Sequence, residues 1–271
     1  MKPTRPILLF LTAIFLSSCA TPFYQVYKVA PLNAEFQKSD LIKFEDPYCV
    51  VSYNLWSQGG DIGFLFTNKT DENIFIELDQ TFFVLNGIAH NYYLNRVYTT
   101  SETSAASFAQ SSGFSRTSSD MVQSGNRTIS RGVVKATGYS VSFAEEKVVC
   151  IPPHTSKRIA EYSISDNLYR NCDLFKYPTK KQITTATFTR SNSPVVFSNR
   201  ITYRPGTGEA MQMNNEFFVA EVTNLPEAEA VELTRAEFCD QKALSAREVV
   251  SGSAPDRFYI KYQKTVDYLK H

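Results

Sequence analysis

Three histidines, four acids set close to apolar runs and four cysteines beyond residue 40 are the side chains here that could do chemistry, and their spacing offers them little. His90 follows an Asn-Gly pair, His154 sits after Pro152-Pro153, and His271 is the last residue. None belongs to an H-E-x-x-H pair, and the chain has no G-x-S-x-G elbow, S-x-x-K, phosphate loop, dinucleotide fingerprint or EF-hand loop. Asp46, Glu77, Asp79 and Glu221 are acids beside strand-like runs; two-carboxylate glycosidase chemistry needs no closeness in sequence, so spacing neither selects nor rejects them. Cys49, Cys150, Cys172 and Cys239 permit two disulfides in three pairings, or buried free thiols that pack as small hydrophobes. No C-x-x-C occurs, which speaks against a thioredoxin-like site or a zinc knuckle. Trp56, the only tryptophan, precedes Gly59-Gly60. Its ring could stack on a sugar or a partner, or close one end of the core. This inventory calls for no catalytic residue, no metal and no cofactor.

A fifth cysteine stands in a different setting. Lys2 and Arg5 precede an apolar run, Ile7–Leu16, which ends in Ser17-Ser18-Cys19. Ten apolar residues are half of what a membrane-crossing helix needs, while a basic start, short apolar run and small-residue exit read as an export signal. Leu16-Ser17-Ser18-Cys19 resembles the lipobox of bacterial lipoproteins. That resemblance implies diacylglyceryl attachment to the Cys19 thiol, removal of residues 1–18, and a mature chain of residues 19–271. Ala20, in place of Asp, implies passage to the outer membrane of a Gram-negative envelope. Tyr24-Gln25-Val26-Tyr27 and the aromatic, Asn-rich hairpins beyond it are similar to envelope lipoproteins of the Bacteroidota type, a resemblance that carries no known activity.

The elements that must position these residues read as strands. Phe23–Val29 alternates soon after Cys19, so the folded body is expected to start within a few residues of the lipid, with no Gly/Ser tether. Tyr48–Trp56, Ile62–Thr67, Asn73–Leu78, Thr81–Leu85 and Ile88–Tyr93 follow at short spacing. Asn86-Gly87 supplies the positive φ values of a type I′ hairpin turn. Further strands are expected within 133–151 and at Lys157–Ile164, Gln182–Arg190, Val195–Tyr203, Glu216–Thr223 and Arg257–Gln263. Phe66-Thr67-Asn68 and Phe197-Ser198-Asn199 repeat a Phe-polar-Asn ending ahead of an aromatic pair and Val. Between Thr99 and Ser130, 15 of 32 residues are Ser or Thr. So little apolar surface predicts a flexible loop insertion over 99–130. Acids at its start and abundant Ala and Glu predict the one substantial helix across Pro226–Leu244. The fold class expected is all-β: an antiparallel β-sandwich, Ig-like or related, of one large domain.

Charge narrows the partners. Loss of residues 1–18 removes two of the 28 Lys and Arg, leaving 26 against 27 acids; a near-neutral chain lacks the clustered basic footprint of nucleic-acid binders. The reading that follows is a lipid-anchored, non-enzymatic lipoprotein of the cell envelope, held to the membrane through Cys19. Its sandwich would serve as a structural or protein-interaction module with an envelope protein as partner. The alternative is a carbohydrate-binding or carbohydrate-processing surface lipoprotein. An open strand edge would favour the first, and exposed aromatics beside two acids in one cleft the second.

Overall fold

β1, Pro22–Leu32, is an interior strand of the larger sheet, lying between the strand Met211–Pro226 and the terminal strand Arg257–Gln263. Phe23, Tyr24, Gln25, Tyr27 and Val29 are buried along it. In chain order β1 is followed by β2 (Ile42–Glu45), β3 (Cys49–Tyr53), β4 (Phe64–Asn68), β5 (Ile74–Glu77), β6 (Phe82–Leu85), β7 (Ile88–Asn91), β8 (Val97–Ala105) and β9 (Ala136–Ala144). Then come β10 (Val148–Ile151), β11 (Ser156–Ile159), β12 (Thr185–Thr187), β13 (Val196–Pro205) and β14 (Met211–Pro226). A turn of helix, α1 (Glu227–Ala230), precedes β15 (Val231–Thr234), β16 (Glu237–Phe238), β17 (Gln241–Lys242), β18 (Arg247–Val250) and β19 (Arg257–Gln263). This computed structural model describes residues 21–32, 41–105, 136–235, 237–238, 241–242 and 247–264. The chain divides into two units, Met1–Tyr93 with Lys147–His271, and Leu94–Glu146.

In the first unit one sheet runs β10-β5-β13-β14-β1-β19, with β12 on β14 and the β6–β7 hairpin on β13; the second runs β11-β4-β3-β2. Every pairing in both sheets is antiparallel. The expected antiparallel sandwich is therefore the fold. Rings interlock between the sheets. Phe217 of β14 stacks on Phe197 of β13 at 5.1 Å and meets Tyr53 of β3 and Phe44 of β2 edge-on at 5.1 and 5.4 Å. Phe66 of β4 meets Tyr203 of β13 at 5.5 Å. Edge-to-face and offset stacks of this kind add about 0.5–1.5 kcal/mol beyond the area they bury. The Asn86-Gly87 turn forms as expected, with φ of 48° and 84°.

A polar hub lies inside this aromatic core. The Tyr53 hydroxyl accepts from the side-chain amides of Asn215 (2.8 Å) and Asn199 (3.3 Å). Asn199 also donates to the carbonyl of Ile62 at 3.0 Å and accepts from the Tyr92 hydroxyl at 3.0 Å. Both asparagines are fully buried, so each bond replaces water that cannot reach them. A second hub is Asn68, which ends β4; its Nδ2 donates to the carbonyls of Glu72, Ile151 and Pro152, and its Oδ1 accepts from Thr70. The two asparagines of the repeated Phe-polar-Asn motif are thus both pins: Asn68 ties the end of β4 to the Ile151–Pro152 segment, and Asn199, inside β13, ties that strand to Tyr53, Ile62 and Tyr92.

Two expectations are corrected. No helix spans Pro226–Leu244: α1 is one turn with no side-chain cap, and the chain returns to extended structure at Val231. A four-residue turn stops before propagation can offset nucleation, whereas β15 gains a ladder with β18, Val231 opposite Val250. The Ser/Thr-rich stretch is not loop from its start either, because Thr99–Ala105 belong to β8, paired along its whole length with β9. In that second unit β-branched Thr suits a strand. Thr99 and Ser142 share a 2.9 Å hydroxyl bond, and Tyr98 stacks on Phe143 at 5.4 Å. Glu145 clasps the base, accepting from the N–H groups of Leu94 and Arg96 and from the Arg96 guanidinium. Burial opposes ionisation of Glu145, but these donors win and hold its carboxyl below the usual range. Residues 106–130 lie outside the described residues.

Tyr53→Phe should cost roughly 1–3 kcal/mol, since it deprives two buried amides of their acceptor; a urea midpoint unchanged from wild type would refute the hub. Alkali supplies a second check. Burial raises Tyr27 to about 12, opposed by the Tyr169 backbone N–H, and burial likewise raises Tyr53, Tyr92, Tyr203 and Tyr262. The fold favours these neutral phenols, so their contribution is complete below the ordinary phenol value near 10 and is lost as pH climbs through the raised values, about 12 for Tyr27. Phenolate absorbance should therefore show these five ionising together with unfolding, not before it.

Candidate binding groove

The principal concavity lies between two strand edges. The ladder of β1 on β14 ends at Leu32 opposite Glu216. Met211–Asn215 continue beyond it, paired only with Tyr203–Asn199 of β13 among the described strands. Across from them runs β2, paired among the described strands only with β3. Between the two strands is a groove of about 770 Å³, bordered by Lys43, Glu45 and Asp46 on one side and by Tyr203, Met213 and Asn215 on the other. Alternation on β2 buries Ile42 and Phe44 and leaves Lys43 and Glu45 exposed.

Asp46 is fixed rather than reactive. Its Oδ1 accepts from the N–H groups of Tyr48 and Cys49, each at 2.8 Å, closing the turn into β3, and its Oδ2 accepts from the Tyr203 hydroxyl. Burial, reinforced by Asp46, pushes both the Cys49 thiol and the Tyr203 phenol well above their ordinary values. A thiol held protonated is neither nucleophile nor metal ligand. At the groove's inner wall the fully buried Asn215 spends its Nδ2 on Tyr53, and its Oδ1 has no donor among the described residues. The groove brings together strand backbone, charged side chains of β2 and the methionines of β14.

The other candidates are scattered. Glu77 accepts from Gln80 at 2.7 Å and lies 3.5 Å from Arg204, and Asp79 pairs with Lys147 at 2.9 Å. Glu221 on β14 pairs with Lys28 on β1 at 2.8 Å. Of the four acids only Asp46 borders the groove. His90 packs between the rings of Phe83 and Tyr162; His154, at φ 54°, meets Asp71 on the surface at 2.9 Å. Trp56 is half-buried, its ring 5.2 Å from Tyr259. Cys49, Cys150 and Cys172 are free, Cys49 buried and the others exposed, so none of the three pairings forms among them. Among the described residues no three His, Cys, Asp or Glu side chains gather as a metal site. Cys19, Cys239 and His271 lie outside the described residues.

Sequence reasoning missed Asn215, Tyr203 and the groove itself. The repeated Phe-polar-Asn motif pointed toward Asn199, but Asn214-Asn215 carried no comparable signal. No protein-family model, curated protein or solved structure matches the chain.

Peptide mapping after brief alkylation of the native protein should find Cys150 and Cys172 modified and Cys49 intact. Modification of Cys49 only on unfolding fits its burial, and equal labelling of all three would not.

Proposed function

We propose that this chain is a non-enzymatic lipoprotein of the cell envelope, anchored through an acylated Cys19 to the outer membrane, with its sandwich acting as a protein-interaction module. The observation that carries the interaction reading is the groove between β2 and the Met211–Asn215 stretch of β14, neither of which has a further strand neighbour on that side among the described residues. An extended segment of an envelope protein could add to such an edge through main-chain hydrogen bonds, with side-chain pockets setting specificity. Glu45 and Asp46 border the groove from the same side, whereas two-carboxylate hydrolysis needs acids facing each other across a cleft, which supports binding over hydrolysis.

The anchor reading draws its support from the first strand. β1 begins at Pro22, three residues after Cys19. Acyl chains contribute about 0.8 kcal/mol per buried methylene, and two or more chains hold a protein stably without any polypeptide crossing the bilayer. Among the described residues no helix is long and apolar enough to cross a membrane.

Cys19→Ala should abolish acyl labelling and release the protein from the membrane fraction; unchanged sedimentation would sink the anchor. For the groove, a photocrosslinking residue at Met211 or Lys43 should capture an envelope protein in intact cells, while one at Lys157 on β11, the opposite edge of the smaller sheet, should not. Equal adducts from all three positions would remove the groove from the account.

A further inference from the structure

Beside the start of β1 the first unit carries a cluster of lysines and aromatic rings. The N–H of Lys264 donates to the carbonyl of Thr21 at 3.2 Å, which sets the exposed Lys264 beside the point where the chain emerges. Its Nζ lies 5.7 Å from the centre of the Tyr177 ring, and the Nζ of Lys176 lies 4.9 Å from the same ring. Tyr177 packs against Phe23 at 5.2 Å and Tyr262 at 6.1 Å. The Tyr262 hydroxyl donates to the carbonyl of Lys176 at 2.5 Å, tying the loop to the sheet. Next to Lys176, Phe175 is 53 % exposed. Among the described residues neither Lys176 nor Lys264 has a carboxylate partner, whereas nearby in sequence Lys180 is taken up by Glu229 at 2.8 Å.

Lysines flanking half-buried tyrosines, with one bare phenylalanine, are the chemistry of a membrane interface. The amphipathic rings lie at headgroup depth, the ammonium groups answer lipid phosphates, and an apolar ring wedges between headgroups. Position supplies the second argument. Two residues separate this surface from Cys19, and even a fully extended chain advances only about 3.3–3.6 Å per residue. An acyl group on Cys19 would thus lie within about 7 Å of Thr21 along the chain.

We propose that the face formed by Phe175, Lys176, Tyr177, Tyr262 and Lys264 docks on an anionic phospholipid surface and sets the orientation of the anchored body. The inference rests on the anchor proposed above and adds a second, electrostatic contact to it. Each lysine at an anionic surface strengthens the contact by a factor of about five, and salt weakens it.

The test uses the full chain as isolated from membranes, mixed into vesicles of phosphatidylcholine alone or containing phosphatidylglycerol, then treated with a water-soluble amine-acetylating reagent. Peptide masses report each lysine. Lys176 and Lys264 should react about fivefold more slowly in the phosphatidylglycerol vesicles, and high salt should restore them. Lys43, exposed on β2, should react alike in both. Equal reactivity of Lys176 and Lys264 in the two vesicles would overturn the docking face. The N-terminal peptide in the same digest reports acylation: an unmodified Cys19 would defeat the anchor reading, and the lysine ratios would still decide the face.

Discussion

The two-sided ladder of β1 is the constraint on which the rest depends. β14 flanks it on one side and β19 on the other, so Phe23 through Lys28 are bonded across both edges. The ladder starts at Pro22 opposite Gln263, leaving no slack between the sheet and residue 21. Lengthening the tether would mean unzipping an interior strand from both its neighbours and exposing Phe23 and Tyr24, both buried, at about 1.5–3 kcal/mol for each large side chain. A linker of Gly and Ser would give way at far lower cost. Whatever is attached just ahead of Thr21 therefore holds the sandwich itself, not a leash.

The same strand borders the groove. β14 is 16 residues long, and among the described residues β1 pairs with its Glu216–Pro226 portion. The uncovered portion begins beside Asn215, whose Nδ2 is engaged by Tyr53 in the core hub. That hub fixes β13 and β14 against β3, because a one-residue slip would turn Asn199 and Asn215 away from Tyr53. The hub and the groove proposed to take a strand-like partner are thus neighbours, and such a core would hold the groove wall preorganised for that partner.

Much of the fold was legible where period-two alternation and turn chemistry agreed. The final strand matches its expected bounds, Arg257–Gln263, and Asn86-Gly87 specified the β6–β7 hairpin. Glu and Ala across 226–244 misled, because propensity is a weak prior and the ladder of β15 with β18 overrode it. Thr and Ser at 99–105 misled in the opposite direction: polar composition suggested a loop, yet the stretch is paired with β9 along its whole length, and Thr suits a strand. The groove could not be read at all, since it arises from the register at which β1 leaves β14, a contact between residues nearly 200 positions apart. The free cysteines were open from sequence because pairing depends on three-dimensional proximity that spacing does not encode.

Trp56 provides a native reporter for the claim that the body sits against the bilayer. It is the only tryptophan, and its ring is linked through Tyr259, at 5.2 Å, to Tyr24, which lies 6.0 Å further on and three residues from Thr21. Energy transfer from Trp56 to dansyl-labelled lipid headgroups, in vesicles carrying protein whose Cys19 acylation has been verified by mass, tests this directly. The account predicts strong quenching of Trp56 with matching dansyl emission. Tryptophan emission left as bright as in unlabelled vesicles would place the body away from the membrane and contradict it.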